Sequence, residues 1–250
     1  MSNFADYFSK RGRKMTIDIR NLTKIFGTQK ALNNVTLAVD KGEIVGLLGP
    51  NGAGKSTMMK IITCFIPPTE GSVKVCGYDI FDNPMQIKNS IGYLPEQNPL
   101  YLDMYVRESL DFIAGLHGLK GKQKRDRIEQ MIELVGLSKE VNKKVGTLSK
   151  GYKQRVGLAQ AMIHNPEVLI LDEPTTGLDP NQLVEVRQIV KRLGENKTIL
   201  LSTHIMQEVE AVCSRAVIIN NGQLVADDTV EHLAEGGSLE QTFRKITAMQ

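Results

Sequence analysis

The 250-residue sequence predicts an α/β fold: a parallel sheet core, an antiparallel β subdomain ahead of it, and an inserted helical subdomain. Three observations carry this. Four short apolar runs, at 44–48 (IVGLL), 168–171 (VLIL), 198–201 (TILL) and 216–219 (AVII), are unbroken rather than alternating. That is the pattern of strands buried on both faces of a parallel sheet. Helical patterns at 56–65, 180–193 and 205–213 lie between or after these runs, and strand–helix alternation is the mark of an α/β sheet. The stretch 106–165 breaks the alternation and reads as helices only.

The elements follow in order. Residues 1–14 hold four bases (Lys10, Arg11, Arg13, Lys14) and one acid (Asp6) before the first apolar pattern; a flexible basic tail is expected there. Segments 17–20, 36–39 and 72–75 read as short antiparallel strands separated by turn residues. The run 44–48 leads through glycines into the helix 56–65. Between 106 and 165 three helices are expected, at 106–116, 123–134 and 149–164, punctuated by Gly115, Gly118, Gly121, Gly136 and Gly146. From Arg107 to Arg155 there are 12 bases and 6 acids, a skew that sets this insert apart. Its densest part, KGKQKRDR at 120–127, has no interleaved aromatics and reads as a solvated loop and first helical turn.

Composition excludes several classes. Apolar residues at 41% and charged residues at 24% describe a globular chain. No charge-free stretch exceeds 11 residues, whereas a membrane-spanning helix needs about 20 mostly apolar ones. The first residues lack an apolar h-region, so no signal peptide is expected. Cys64, Cys76 and Cys213 form no CxxC pair and read as reduced thiols of a cytosolic protein. The net charge is 31 − 28 = +3, and residues 1–14 carry 4 − 1 = +3 of it. The remainder is neutral in sum, so no nucleic-acid partner is expected.

Three motifs carry chemistry. Gly49, Pro50, Asn51, Gly52, Ala53, Gly54, Lys55, Ser56 and Thr57 spell GPNGAGKST, which fits GxxxxGK[ST] between a strand and a helix. Glycines there let successive backbone N–H groups turn around phosphate oxygens, and the helix N-terminus adds its positive field. Lys55 is expected on the β- and γ-phosphates, Ser56 on Mg²⁺ and Thr57 near the α-phosphate. The second motif is VLILDE at 168–173, an apolar strand ending in two carboxylates where open α/β sheets bind ligands. Asp172 is expected to hold Mg²⁺ through water and Glu173 to polarise the attacking water. The third, LSKGYKQR at 148–155, read alone is only a helix start with Ser149 as N-cap.

Together with the other two, LSKGYKQR resembles the signature loop LSxGxxQR of ATP-binding cassette (ABC) ATPases, and the resemblance covers nearly the whole chain in the right order. It implies a P-loop NTPase fold with the ABC ATPase core over 15–250, and ATP and Mg²⁺ as cofactors. By the same resemblance Asp179, in Gly177-Leu178-Asp179, is the D-loop acid and His204 the switch histidine at the γ-phosphate. Phe26 is the aromatic that stacks on adenine. Ser149 and Gly151 would meet ATP held by another subunit, which implies a homodimer or pairing with a second ABC ATPase. In IGYLPEQNPLY at 91–101 the Q-loop position falls on Glu96, with Gln97 one residue late; which of the two faces the metal is left open.

The resemblance also implies transmembrane permease subunits and a peripheral place on the inner face of the cell membrane. Segment 100–106 (LYLDMYV) either grips a helix of such a partner or packs the helical subdomain. The strings PEQNPLYLDMYVRE, LSKGYKQRVGLA, EPTTGLDPNQLVEVR and STHIMQEVEAVC look like the ATPase of gliding-motility-associated exporters. The ending GSLEQTF is similar to ATPases of drug and polysaccharide exporters. A soluble ABC ATPase acting on nucleic acid or ribosomes is the alternative, but relatives of that kind carry a coiled-coil insert or two cassettes. A GTPase would show NKxD, and 142–145 reads NKKV. His117, His164 and His232 lack metal spacing and receive no role.

Overall fold

The computed structural model describes residues 15–248; the basic tail expected over 1–14 lies outside them. Strands β1 (Met15–Phe26), β2 (Gln29–Asp40), β4 (Glu70–Val75) and β5 (Tyr78–Asp79) form an antiparallel sheet in the order β2-β1-β4-β5. Strands β1 and β2 run well beyond the expected 17–20 and 36–39. Their extensions are rich in polar and exposed residues near the hairpin, so they show no apolar run.

The second sheet contains β3 (Ile44–Leu48), β6 (Ile91–Leu94), β7 (Val168–Asp172), β8 (Thr198–Thr203), β9 (Arg215–Asn220) and β10 (Gln223–Thr229). Its order is β10-β9-β3-β8-β7-β6, parallel except where β10 returns against β9 through an Asn221-Gly222 turn.

Alternation of side chains across this sheet builds two cores. Val45, Leu47, Val168, Ile170, Leu200, Val217 and Ile219 face the antiparallel sheet. Leu48, Leu169, Leu171, Ile199, Leu201, Ala216 and Ile218 face the opposite way. Unbroken apolar strands are therefore what a sheet with two covered faces requires.

Helix α1 (Lys55–Ile62) lies in the first core, with Met58, Met59, Ile61 and Ile62 fully buried. Each such side chain contributes about 1.5–3 kcal/mol of burial, so the loop that opens α1 stands on a rigid base. Helix α2 (Pro84–Ser90) precedes β6.

On the opposite face sit α3 (Val106–Leu116), α4 (Gly121–Leu134) and α5 (Lys150–Met162), joined through Val106, Leu110, Ile128, Met131 and Val156. Helices α6 (Pro180–Gly194) and α7 (Met206–Val212) continue that layer. The chain then runs through α8 (Val230–Leu233) to α9 (Leu239–Ala248). The bases of the 120–127 run are largely spent within the fold. Lys122 reaches Asp126 at 2.6 Å, Lys124 reaches Asp111 at 2.7 Å, and Arg127 donates to the carbonyls of Ile163 and Met162.

Candidate functional site

The loop between β3 and α1 wraps toward the carboxyl edge of the parallel sheet. Gly54 enters α1 at φ +109, and a Cβ there would lie 2.6 Å from the Ala31 carbonyl oxygen. No other residue type fits both constraints. Lys55 is nearly buried and turns back into its own loop. Its Nζ donates to the Gly49 carbonyl at 2.7 Å and the Pro50 carbonyl at 3.3 Å, and stands 3.7 Å from Glu173 Oε1. An ammonium taken out of water needs such acceptors.

Asp172 ends β7 beside Ser202 of β8, its register partner. Its Oδ1 accepts from Ser56 Oγ at 3.2 Å and from Ser202 Oγ at 2.5 Å. Glu173 follows in the left-handed region at φ +50, a conformation that costs a non-glycine residue on the order of 1–3 kcal/mol. That turn lets its N–H donate to both the carbonyl and the hydroxyl of Ser202, at 3.2 and 3.1 Å. The carboxylate is then aimed at β8's end. Its Oε2 accepts from Thr176 Oγ1 at 3.2 Å and lies 2.9 Å from His204 Nδ1. A carboxylate only accepts, so Nδ1 is the donor.

One cleft of about 570 Å³ is lined among others by Phe26, Lys55, Ser56, Glu96, Glu173 and His204, with the buried Asp172 behind Ser56. Asn51, Gly52, Ala53, Gly54 and Thr57 also line it. Gly49 and Pro50 present their carbonyls to Lys55 instead. Phe26, at the end of β1, is 49% exposed, which does not suit a core phenylalanine. Tyr93 stands near two acids: burial first, then the charges of Asp172 and Glu96, push its phenol up to about 12.

Three expected site residues lie elsewhere. Ser149 caps α5 by accepting from the Tyr152 N–H at 3.4 Å. Asp179 caps α6, its Oδ1 accepting from the N–H groups of Asn181 and Gln182 at 3.0 Å each. None of Ser149, Gly151 and Asp179 lines the cleft.

Glu96 and Gln97 part company. Glu96 lines the cleft, while Gln97 lines a second hollow of about 570 Å³ with Phe65, Tyr93, Tyr101, Ile113 and His117. In segment 100–106, Tyr101 packs edge-on to Phe112 at 5.6 Å and Val106 is buried, but Leu102 and Tyr105 remain about half exposed. In the same hollow the rings of His117 and His164 stack at 3.9 Å, and His164 Nε2 lies 3.0 Å from the Ile91 carbonyl oxygen. Burial foremost, then the neighbouring His117, pushes the His164 imidazole down to about 4.

Sequence reasoning missed Ser202, Thr176 and Gln182. The signal for Ser202 was present: TILLST ends in hydroxyls where VLILDE ends in carboxylates, and adjacent parallel strands bring the two together.

A glycine loop between a strand and a helix, a buried lysine, and two acids at the carboxyl end of a parallel strand define a P-loop nucleoside triphosphatase. The more particular class comes from kinship. The family model described as ABC transporter matches residues 32–176, and the chain belongs to that family. It is 39% identical over 208 residues to the ABC transporter ATP-binding protein NatA of Bacillus subtilis (strain 168), covering 82% of this chain and 85% of NatA. It is 39% identical over 219 residues to the bacitracin transport ATP-binding protein BcrA of Bacillus licheniformis, covering 87% of this chain and 71% of BcrA.

Among solved structures, an ATP binding subunit of an ABC transporter superposes with a TM-score of 0.84 at 31% identity, over 93% of this chain and 99% of that one. The dimeric, post-hydrolysis cassette MJ0796 with ADP and Pi gives 0.78 at 28% identity, over 85% and 98%. The chain is an ATP-binding, ATP-hydrolysing ABC cassette.

Proposed function

We propose that this chain is the ATPase subunit of an exporter, driving transport through separate transmembrane permease subunits, and that it works as a homodimer. In that dimer ATP lies between the Lys55 loop of one copy and the Ser149 signature of the other. The observation that carries this is spatial. Lys55, Glu173 and His204 converge on one cleft, while Ser149, exposed at the start of α5, and the buried Gly151 lie outside it.

Within the cleft the exposed Phe26 ring offers a platform for adenine, and the loop from Gly49 to Thr57 holds the phosphates. Glu173 accepts a proton from the attacking water. His204 holds Glu173 and reaches the terminal phosphate, and Asp179 lies at the dimer seam. The donors near Ser56 fit Mg²⁺: the Ser56 hydroxyl, Asp172 and Glu96 are hard oxygens, two of them 3.2 Å apart, and Mg²⁺ takes one or two carboxylates plus phosphates and water. Bound there, the ion neutralises phosphate charge.

The exporter reading is supported by relatives named for bacitracin transport and, at 36% identity over 214 residues, for linearmycin resistance in Bacillus subtilis (strain 168). The finer reading, service to a gliding-motility exporter, rests on the resemblance of the sequence strings alone. No described helix is long and apolar enough to cross a membrane. A peripheral place on the inner membrane face then depends on a permease, whose cytosolic helix we seat in the hollow lined by Gln97 and Tyr101. Glu96 beside it belongs to the ATP cleft, so one loop touches both partners.

A mixing experiment tests the shared site. Lys55→Ala leaves the signature intact, and Ser149→Arg leaves the phosphate loop intact. Each alone is inactive. A mixed dimer gathers both lesions into one site and leaves the other whole, so mixing restores part of the ATPase activity. A mixture with neither rescue nor a gain in ATP-dependent dimer over the separate variants overturns the reading.

A further inference from the structure

Gln182 stands on the first turn of α6, yet its side chain crosses to the start of α5. Its Nε2 donates to Ser149 Oγ at 3.3 Å. The rest of its amide lies over Gly151: a Cβ on residue 151 would meet Gln182 Oε1 at 2.3 Å and Cδ at 2.4 Å. Glycine at 151 is what admits this side chain. The backbone N–H of Gln182 is in turn held by Asp179 Oδ1 at 3.0 Å. A second contact runs the same way, since a Cβ on Gly177 would lie 2.3 Å from Lys150 Nζ. The D-loop end of α6 and the signature of one chain are thus joined by one hydrogen bond and approach closely at a second point.

The polarity of the first tie matters. A serine hydroxyl has two acceptor lone pairs and one O–H donor. At Ser149 the Tyr152 N–H fills one acceptor side and Gln182 fills the other. What remains is the O–H, a donor, and a donor is what an anion requires.

We propose that Gln182 is a positioning residue that presets the Ser149 hydroxyl as a hydrogen-bond donor to the terminal phosphate of ATP held by a second copy of this chain. This rests on the shared-site reading above. Because Gln182 is also seated on Asp179, a shift of the D-loop moves the amide that sets Ser149. The state of one composite site is thereby conveyed to the signature that serves the other.

The test reverses the polarity at nearly constant shape. In Gln182→Glu the carboxylate only accepts, so the Ser149 O–H turns inward and the lone pair that Gln182 had filled faces the phosphate. Gln182→Leu removes the bond without reversing it. With the full chain, ATP and Mg²⁺, Gln182→Glu weakens ATP-driven dimerisation by roughly tenfold or more, the scale of one hydrogen bond to a charged group, and Gln182→Leu falls between it and wild type. ATP affinity of the separate chains and the melting temperature stay as in wild type, and turnover recovers as protein concentration rises. Mixed with Lys55→Ala, Gln182→Glu regains activity as Ser149→Arg does.

Wild-type dimerisation by Gln182→Glu overturns the inference. So does a parallel loss of ATP affinity or melting temperature in both variants, which marks a plain structural brace. A mixture of Ser149→Arg with Lys55→Ala that shows neither rescue nor a gain in ATP-dependent dimer is the separate result that removes the shared site itself.

Discussion

Glu173→Gln separates chemistry from stability at this site. The wild-type carboxylate is 7% exposed, stands 3.7 Å from Lys55 Nζ and accepts from His204 and Thr176. At that distance the attraction to Lys55 is about 4 kcal/mol gross with an effective dielectric of about 20. Neutralising the side chain gives this up, but it also removes the desolvation penalty of a buried ion, which is of similar size. The amide keeps the shape and one acceptor oxygen. Lys55 keeps the Gly49 and Pro50 carbonyls as acceptors and is not left uncompensated, so the net effect on folding is about 1 kcal/mol or less in either direction.

The effect on turnover is of another order. Loss of a positioned general base costs about 10²–10⁴ in rate, or about 2.7–5.5 kcal/mol of barrier. Three measurements suffice: phosphate release at saturating ATP, ATP affinity by titration with a fluorescent analogue, and thermal melting. Turnover should collapse while affinity and melting hold. Turnover within threefold of wild type would refute the role given to Glu173. So would a loss of turnover no larger than the loss of affinity, because the carboxylate would then be a binding group.

Glu96→Ala should impair Mg²⁺-dependent hydrolysis in the isolated protein more than Gln97→Ala, since only Glu96 lines the cleft; the reverse order in an ATPase titration against Mg²⁺ would move the role to Gln97. His164 makes folding pH-sensitive with a definite sign. Its pKa falls from 6.5 to about 4 on folding, so the unfolded chain takes up the proton first. Stability is unaffected above pH 6.5 and declines as pH drops through 6.5 toward 4. The decline is on the order of 1–2 kcal/mol once the ring's partial exposure is discounted. Denaturant melts of wild type and His164→Gln should converge toward pH 4, and parallel curves would contradict this.

Sequence legibility followed burial symmetry. VLIL and TILL announce themselves because both faces of β7 and β8 are covered. Strand β6 escaped because IGYL is four residues with a glycine, too short for a pattern. Strand β10 escaped because it lies at the sheet edge and carries Asp227 and Asp228, the first of which pairs with Arg215 of β9 at 2.6 Å. At the site, contiguous groups were legible, since the phosphate loop and the acid pair each occupy one stretch of chain. Gln182 was not, because its role comes from one helix crossing another, and Ser202 was legible only once the register of β7 against β8 was known. Glu96 and Gln97 could be named but not told apart, because which cavity a loop residue faces depends on how the chain bends after β6.

That bend has a thermodynamic consequence. The adjacent residues Glu96 and Gln97 line different cavities, the first the ATP cleft and the second the neighbouring hollow. Because the two residues are neighbours on one loop, a rotation that moves one side chain carries the other, and the two cavities are coupled through that loop. Linkage then makes their occupants mutually dependent: whatever factor ATP adds to the affinity of a guest in the hollow, that guest adds to the affinity of ATP. A coupling of 1–3 kcal/mol, about 5–150-fold, is ordinary for such pairs. A permease seated in the hollow would thus set how readily the cassette loads nucleotide, and idle cassettes free of permease would hold ATP with a different affinity from those at work.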